Sequence, residues 1–352
     1  MNRLIIIGNG FDLAHGLKTS YQDFIKWFLA KSLTDLQSGT HNPLFHVGAL
    51  HLYMAAFQTP ITPEKAIATF DELLQHKSYQ LDIRCEVLSR CLERLKSVNW
   101  VDVENEYFLS VTRSVKKHGA SSVISINKRF SYLAQQLKIY LMEQVLPEDF
   151  SPNEKMISLF TEEFRTVDFQ GGSHTPARYI CLLNFNYTRT ADLYEDFANR
   201  ILGANRSAMV INIHGTLINP DYPMIFGFGD EYDKNYLEFE DLNENELFRH
   251  IKSFAYLKTD TYSDLLGFLA NDEYQVYIFG HSCGTSDRTM LRKILDSNRC
   301  KSVKIFYHQR LDGTNDFENK TFDLSRHFRD KEIMREKIVS FPKCQPMPQP
   351  YI

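Results

Sequence analysis

Leu4-Ile5-Ile6-Ile7-Gly8-Asn9-Gly10-Phe11-Asp12 decides how this chain of 352 residues is read. Four apolar residues in succession, closed by a glycine, have the look of a central parallel strand buried on both faces. Two glycines then let the backbone turn tightly and approach a phosphate with no Cβ in the way. Neither common phosphate loop is matched, however. A dinucleotide fingerprint needs a third glycine where Leu13 stands. A Walker loop needs glycine at Phe11 and lysine at Leu17, and Lys18 comes one place late. A kinase or ATPase is therefore set aside. An ordinary strand-to-helix turn and a nucleotide loop of less common type both remain open.

Outward from this strand the texture becomes helical. Apolar residues recur at three- and four-residue spacing over Tyr21–Ser38, Pro63–Lys77, Leu81–Val98, Ser122–Val145 and Pro152–Thr166. The polar stretch Gln170–Pro176 reads as a linker. Strands are then predicted at Tyr179–Asn184, Met209–His214, Met224–Gly227, Val276–Gly280 and Val303–His308, with helices over Asp287–Ser297 and Asp330–Val339. The acidic run Asp230–Leu247 holds eight carboxylates and one lysine, the composition of a solvated face. One strand at the start and several after residue 177 imply one α/β domain, residues 1–20 plus 175–352, interrupted by a helical insertion over 21–174. The expected fold is a Rossmann-type parallel sheet flanked by helices, with its ligand cleft outside the carboxyl ends of the strands.

Three clusters fall at those carboxyl ends. Asn184, Asn186 and Thr188 close the second sheet strand, where poor strand formers point to polar ligation or to a turn. His214 and Gly215 close the third. Gly280-His281-Ser282-Cys283-Gly284 follows the strand at Val276 and matches a GxSxG nucleophile elbow. An elbow would make Ser282 a nucleophile, with His308 or His327 as its base. It would leave Gly8, Gly10 and Asn186 without a task.

Composition limits the choices. With 40 Lys+Arg against 44 Asp+Glu the net charge is −4, so nucleic acid is not an expected partner. The six cysteines form no CxxC pair, and no metal site is expected. No apolar run approaches membrane-spanning length, and no signal peptide is read before Arg3. A cytoplasmic location is expected.

Taken in order, IIIGNGFDLAHGLKTSYQDF, WVDVENEYF (Trp100, Asp102, Glu104), NFNYT, NIHG, FGFGD and FGHSCGTSD resemble the bacteriophage abortive-infection AbiH family. That family is distantly similar to the sirtuin-like NAD-binding fold. The resemblance implies that Gly8, Asn9, Gly10 and Gly16 form a phosphate-binding turn, that Asn186 and His214 are catalytic, and that Gly284-Thr285-Ser286 lies against the cofactor. Gly280, Ser282, Thr188, Asp12 and Asp287 join the expected cofactor-binding set. Thr188 stands where a sirtuin carries aspartate, and the four-cysteine zinc module is absent, so protein deacetylation is not implied. The implied activity is cleavage of the nicotinamide–ribose bond of NAD during infection. A serine hydrolase on Ser282 and a non-catalytic nucleotide sensor are the alternatives. NAD or a related nucleotide, a second copy of the chain and a phage-derived trigger are the expected partners.

Overall fold

A computed structural model describes residues 1–95, 100–145, 151–169, 174–203 and 205–349. Its strands are β1 (Asn2–Ile7), β2 (Phe45–Val47), β3 (Leu81–Ile83), β4 (Tyr179–Asn184), β5 (Ser207–Asn212), β6 (Tyr274–Phe279), β7 (Cys300–Tyr307) and β8 (Gln345–Pro346). The chain divides into two compact units. One comprises Met1–Leu17, Glu148–Leu237 and Ile251–Ile352; the other comprises Lys18–Pro147 and Glu238–His250.

The first unit holds a six-stranded parallel sheet in the order β5-β4-β1-β6-β7-β8. Counted along the chain within this sheet, the order is 3-2-1-4-5-6, that of a doubly wound Rossmann-like fold. Strand residues alternate between its two faces. Leu4, Ile6, Leu183, Ile278 and Ile305 join one apolar core, and Ile5, Ile7, Leu182, Phe279 and Phe306 the other. Helices cover both faces. Tyr194 and Ala198 of helix Thr190–Leu202 bury into one core; Leu265 of Thr261–Asn271 and Leu291 of Arg288–Leu295 bury into the other. Burial on both faces is why these strands read as continuous apolar runs.

Three expectations need correction. Met224–Gly227 is no sheet strand. Around it Thr216 bridges Pro223 and Phe228 bridges Ile251 singly, and Pro223, Gly227 and Gly229 leave no run for a ladder. Gln345–Pro346, where no strand is expected from the sequence, supplies an edge strand, β8, paired to β7 through Phe306 and Tyr307. The helix expected over Pro152–Thr166 forms as Glu154–Thr161, with the Asn153 side chain accepting from the N–H groups of Lys155 and Met156, and it packs in the sheet unit.

The second unit contains helices Tyr21–Gln37, Pro63–Gln75, Glu86–Glu93, Trp100–His118 and Val123–Gln144. It also carries an antiparallel ribbon, Phe45 opposite Ile83 and Val47 opposite Leu81. The expected helix Leu81–Val98 therefore begins late. Leu81 and Ile83 alternate with Asp82 as a strand does, and helix starts only at Glu86. Positions 96–98 of that expectation, and 170–173 of the expected linker, lie outside the described residues.

Candidate functional site

Register builds the site. Ile7 pairs with Asn184 on one side and Phe279 on the other, and Asn184 pairs with Asn212. Gly8, Phe185-Asn186, Ile213-His214 and Gly280-His281 therefore leave the sheet side by side at its carboxyl edge. Between β1 and β6 the chain reverses its direction of travel across the sheet, and this is where doubly wound folds bind ligands.

The glycine turn is used differently from the phosphate reading. Gly8 N–H donates to Phe279 O (3.0 Å) and Gly10 N–H to Gly280 O (2.9 Å), so both amides are engaged. A Cβ on Gly8 would lie 2.5 Å from His281 Cα. The two loops meet backbone to backbone, which is the close approach these glycines permit. The following helix, Asn9–Leu13, is only five residues long and offers little dipole to a diphosphate. Gly280 itself has φ +69°, and a Cβ there would sit 2.2 Å from Phe11 N. Gly280→Ala is expected to cost more than about 2 kcal/mol in a denaturant titration. Gly267→Ala, in open space on helix Thr261–Asn271, should instead gain about 0.5–1 kcal/mol. Equal effects would contradict the close-approach account.

Around the turn lies a buried polar net. The Asn186 side-chain amide donates to Gly8 O (3.1 Å), and Asn186 N–H donates to Asn184 Oδ1 (3.0 Å). Asn184 Nδ2 donates to Asn212 Oδ1 (2.7 Å). Thr188 Oγ1 donates to Asp12 Oδ2 (2.6 Å) and receives the Thr190 hydroxyl (3.1 Å). Asp12 Oδ1 is buried with no hydrogen-bond partner. Burial raises the Asp12 carboxyl to about 6, against the Thr188 hydrogen bond, which lowers it.

His214 is the centre of a second cluster. Its Nε2 lies 3.1 Å from Asp287 Oδ1 and 3.1 Å from the Tyr256 hydroxyl. Lys252 Nζ donates to the same Asp287 oxygen at 2.8 Å. Lys252 and Asp287 are both buried, and the ammonium and the two nearby imidazoles hold the carboxylate far below its ordinary range despite burial. Burial, and then the Lys252 charge, lower the His214 pKa, so the ring is neutral near pH 7. Asp287 begins helix Arg288–Leu295 but makes no side-chain cap bond; its carboxylate serves this cluster. Phe185 joins the two groups: its ring lies 5.0 Å from His214 and 4.3 Å from His281. No sequence signal marked Lys252 or Tyr256.

The elbow is not formed. Ser282 is exposed and makes no hydrogen bond to a histidine among the described residues. The strained backbone falls one residue later, at buried Cys283 with φ +56°. Burial pushes that thiol up to about 12, which removes it as a nucleophile. His281 Nδ1 accepts from Cys283 N–H, and His327 Nε2 donates to Cys283 O (2.7 Å). These histidines brace the loop, and His308 is exposed.

Burial lowers His281 to about 3 and His327 to about 4. Their folded pKa values lie below the unfolded one. The stability they contribute is complete above pH 6.5 and is lost as pH falls, at about 1.4 kcal/mol per pH unit for each ring. Asp12, raised to about 6, works in the opposite direction and offsets one ring. His327→Gln keeps a donor for Cys283 O. It should therefore lose less stability than the wild type between pH 6.5 and 4.5, by about 2 kcal/mol in urea unfolding. An unchanged slope would contradict this assignment.

A Rossmann-like sheet with a buried histidine–aspartate pair beside its switch point is the class that fold and site define. The sequence model of the bacteriophage abortive infection AbiH family matches residues 4–309, and the chain belongs to that family. Its broad role is in abortive infection against phage. Comparison with curated proteins gives no match. Among the described residues no helix is long and apolar enough to cross a membrane.

Proposed function

We propose that the chain cleaves NAD at the nicotinamide–ribose bond. The observation that carries this reading is a buried, neutral His214 held by Asp287, with Asn186 leaving the end of the adjoining strand. The pyridinium is already a good leaving group, so the protein has no need of a strong acid. Its tasks are to orient the ribose, to stabilise a cationic sugar and to remove a proton from water. Asn186 offers an amide to the ribose hydroxyls and the water. Water adds to the anomeric carbon, nicotinamide departs with the bonding pair, and His214 takes the water's proton at Nε2, the ring nitrogen that faces Asp287, while the Phe185 backbone holds the other side of the ring. Tyr256 and Asp287 fix the ring for that transfer. The Asp287 carboxylate, charge-balanced by Lys252, stabilises the imidazolium once it forms.

The glycine turn shapes this reading. With Gly8 and Gly10 amides engaged, the diphosphate contacts fall to half-buried Asn9 and the exposed edge at Ser282. The test in cells is the NAD pool during phage infection. Wild-type protein should deplete it, and Asn186→Ala should preserve it. A pool that stays constant with the wild type while protection persists would overturn the proposal.

A further inference from the structure

We infer that the helical unit carries a second, anion-binding site for a small metabolite bearing two or more phosphoryl groups. A cavity of about 420 Å³ opens among three stretches of that unit: residues 84–87, the last part of helix Trp100–His118, and the start of helix Val123–Gln144. That volume is of small-ligand size. Its walls carry Arg84, Arg113, Lys117 and Arg129 against a single carboxylate, Glu86.

The charges are not balanced within the protein. Arg113 is held by Glu86 (2.9 Å) and Glu106, and Arg84 reaches Asp82 (3.5 Å). Lys117 and Arg129 have no ion-pair partner among the described residues. Helix ends favour cations, which accounts for Lys117 in a last turn. It does not account for Arg129, which lies in the second turn of its helix, where the dipole disfavours a cation. Two unneutralised cations from different helices, converging with Arg84 on one concave surface, match an anion of charge two or more. Guanidinium groups suit phosphoryl oxygens because they donate two parallel hydrogen bonds. The concave shape and small volume favour a small molecule over an extended polynucleotide.

All the lining residues belong to the helical unit, so the site does not rest on NAD cleavage. Titration calorimetry on the full chain, with pyrophosphate and with ATP, tests it. Wild-type protein should bind at least one of them, more weakly at high salt. Lys117→Glu and Arg129→Glu should each weaken binding by about tenfold or more. Lys128→Glu, exposed on the same helix and outside the cavity, should stay within about twofold. Tighter binding of ATP than of pyrophosphate would assign a nucleotide, and the reverse an inorganic polyphosphate. No binding of either probe, equal losses with Lys128→Glu, or tighter binding of a single-stranded oligonucleotide than of ATP would overturn the inference. NAD turnover measured on the same variants separates failure here from failure of the catalytic reading.

Discussion

His214→Ala is expected to lower NAD cleavage by about 10²–10⁴-fold, the usual cost of removing a positioned general base. The effect should fall on kcat more than on KM, because the imidazole acts on the attacking water rather than on the bound nucleotide. Ser282→Ala is expected to stay within a few-fold of wild type, since that hydroxyl is exposed and has no histidine beside it. Removing a buried ring also leaves a cavity, so the variant's unfolding midpoint must be measured alongside its activity. A folded His214→Ala protein that keeps more than a tenth of the activity would contradict the assignment. So would a Ser282→Ala protein that has lost all of it.

The second large effect is on stability. Asp287→Ala should destabilise the fold by about 3–5 kcal/mol, because it removes the buried carboxylate that lies 2.8 Å from the buried Lys252 ammonium. The double variant Asp287→Ala/Lys252→Met should recover much of that loss, since it removes the buried ammonium as well. Both variants should be poor catalysts, because His214 loses the group that orients it and supports its protonated form. Denaturant midpoints of the two singles and the double give the coupling directly. A cost below about 1 kcal/mol for Asp287→Ala would mean that Lys252 finds another partner.

How much of this was legible in the sequence varies by element. The apolar runs at Leu4, Ile180, Val276 and Val303 announced buried parallel strands, and their polar endings announced the carboxyl edge. Asn186 and His214 stand out in the sequence because each interrupts or closes such a run. The run at Met224 misled for the same reason: its apolar residues pack in the sheet unit, but prolines and glycines around it leave no ladder to join. Lys252 and Tyr256 follow an acidic, irregular stretch with no motif, and only the tertiary fold brings them to Asp287. In the sequence, Gly8 and Gly10 suggest room for a phosphate. The room is taken by the Gly280 loop, some 270 positions away in the chain, and local sequence carries no trace of so distant a neighbour. The GxSxG match failed on backbone geometry, since the strained position belongs to Cys283.

Purified protein incubated with NAD, with products separated by chromatography, puts the central claim to its most direct test. NAD should be consumed, with nicotinamide and ADP-ribose appearing in equal amounts. Both products should vanish with His214→Ala and persist with Ser282→Ala. NAD left intact by folded wild-type protein, under conditions where that protein turns over an ester or another nucleotide, would contradict it.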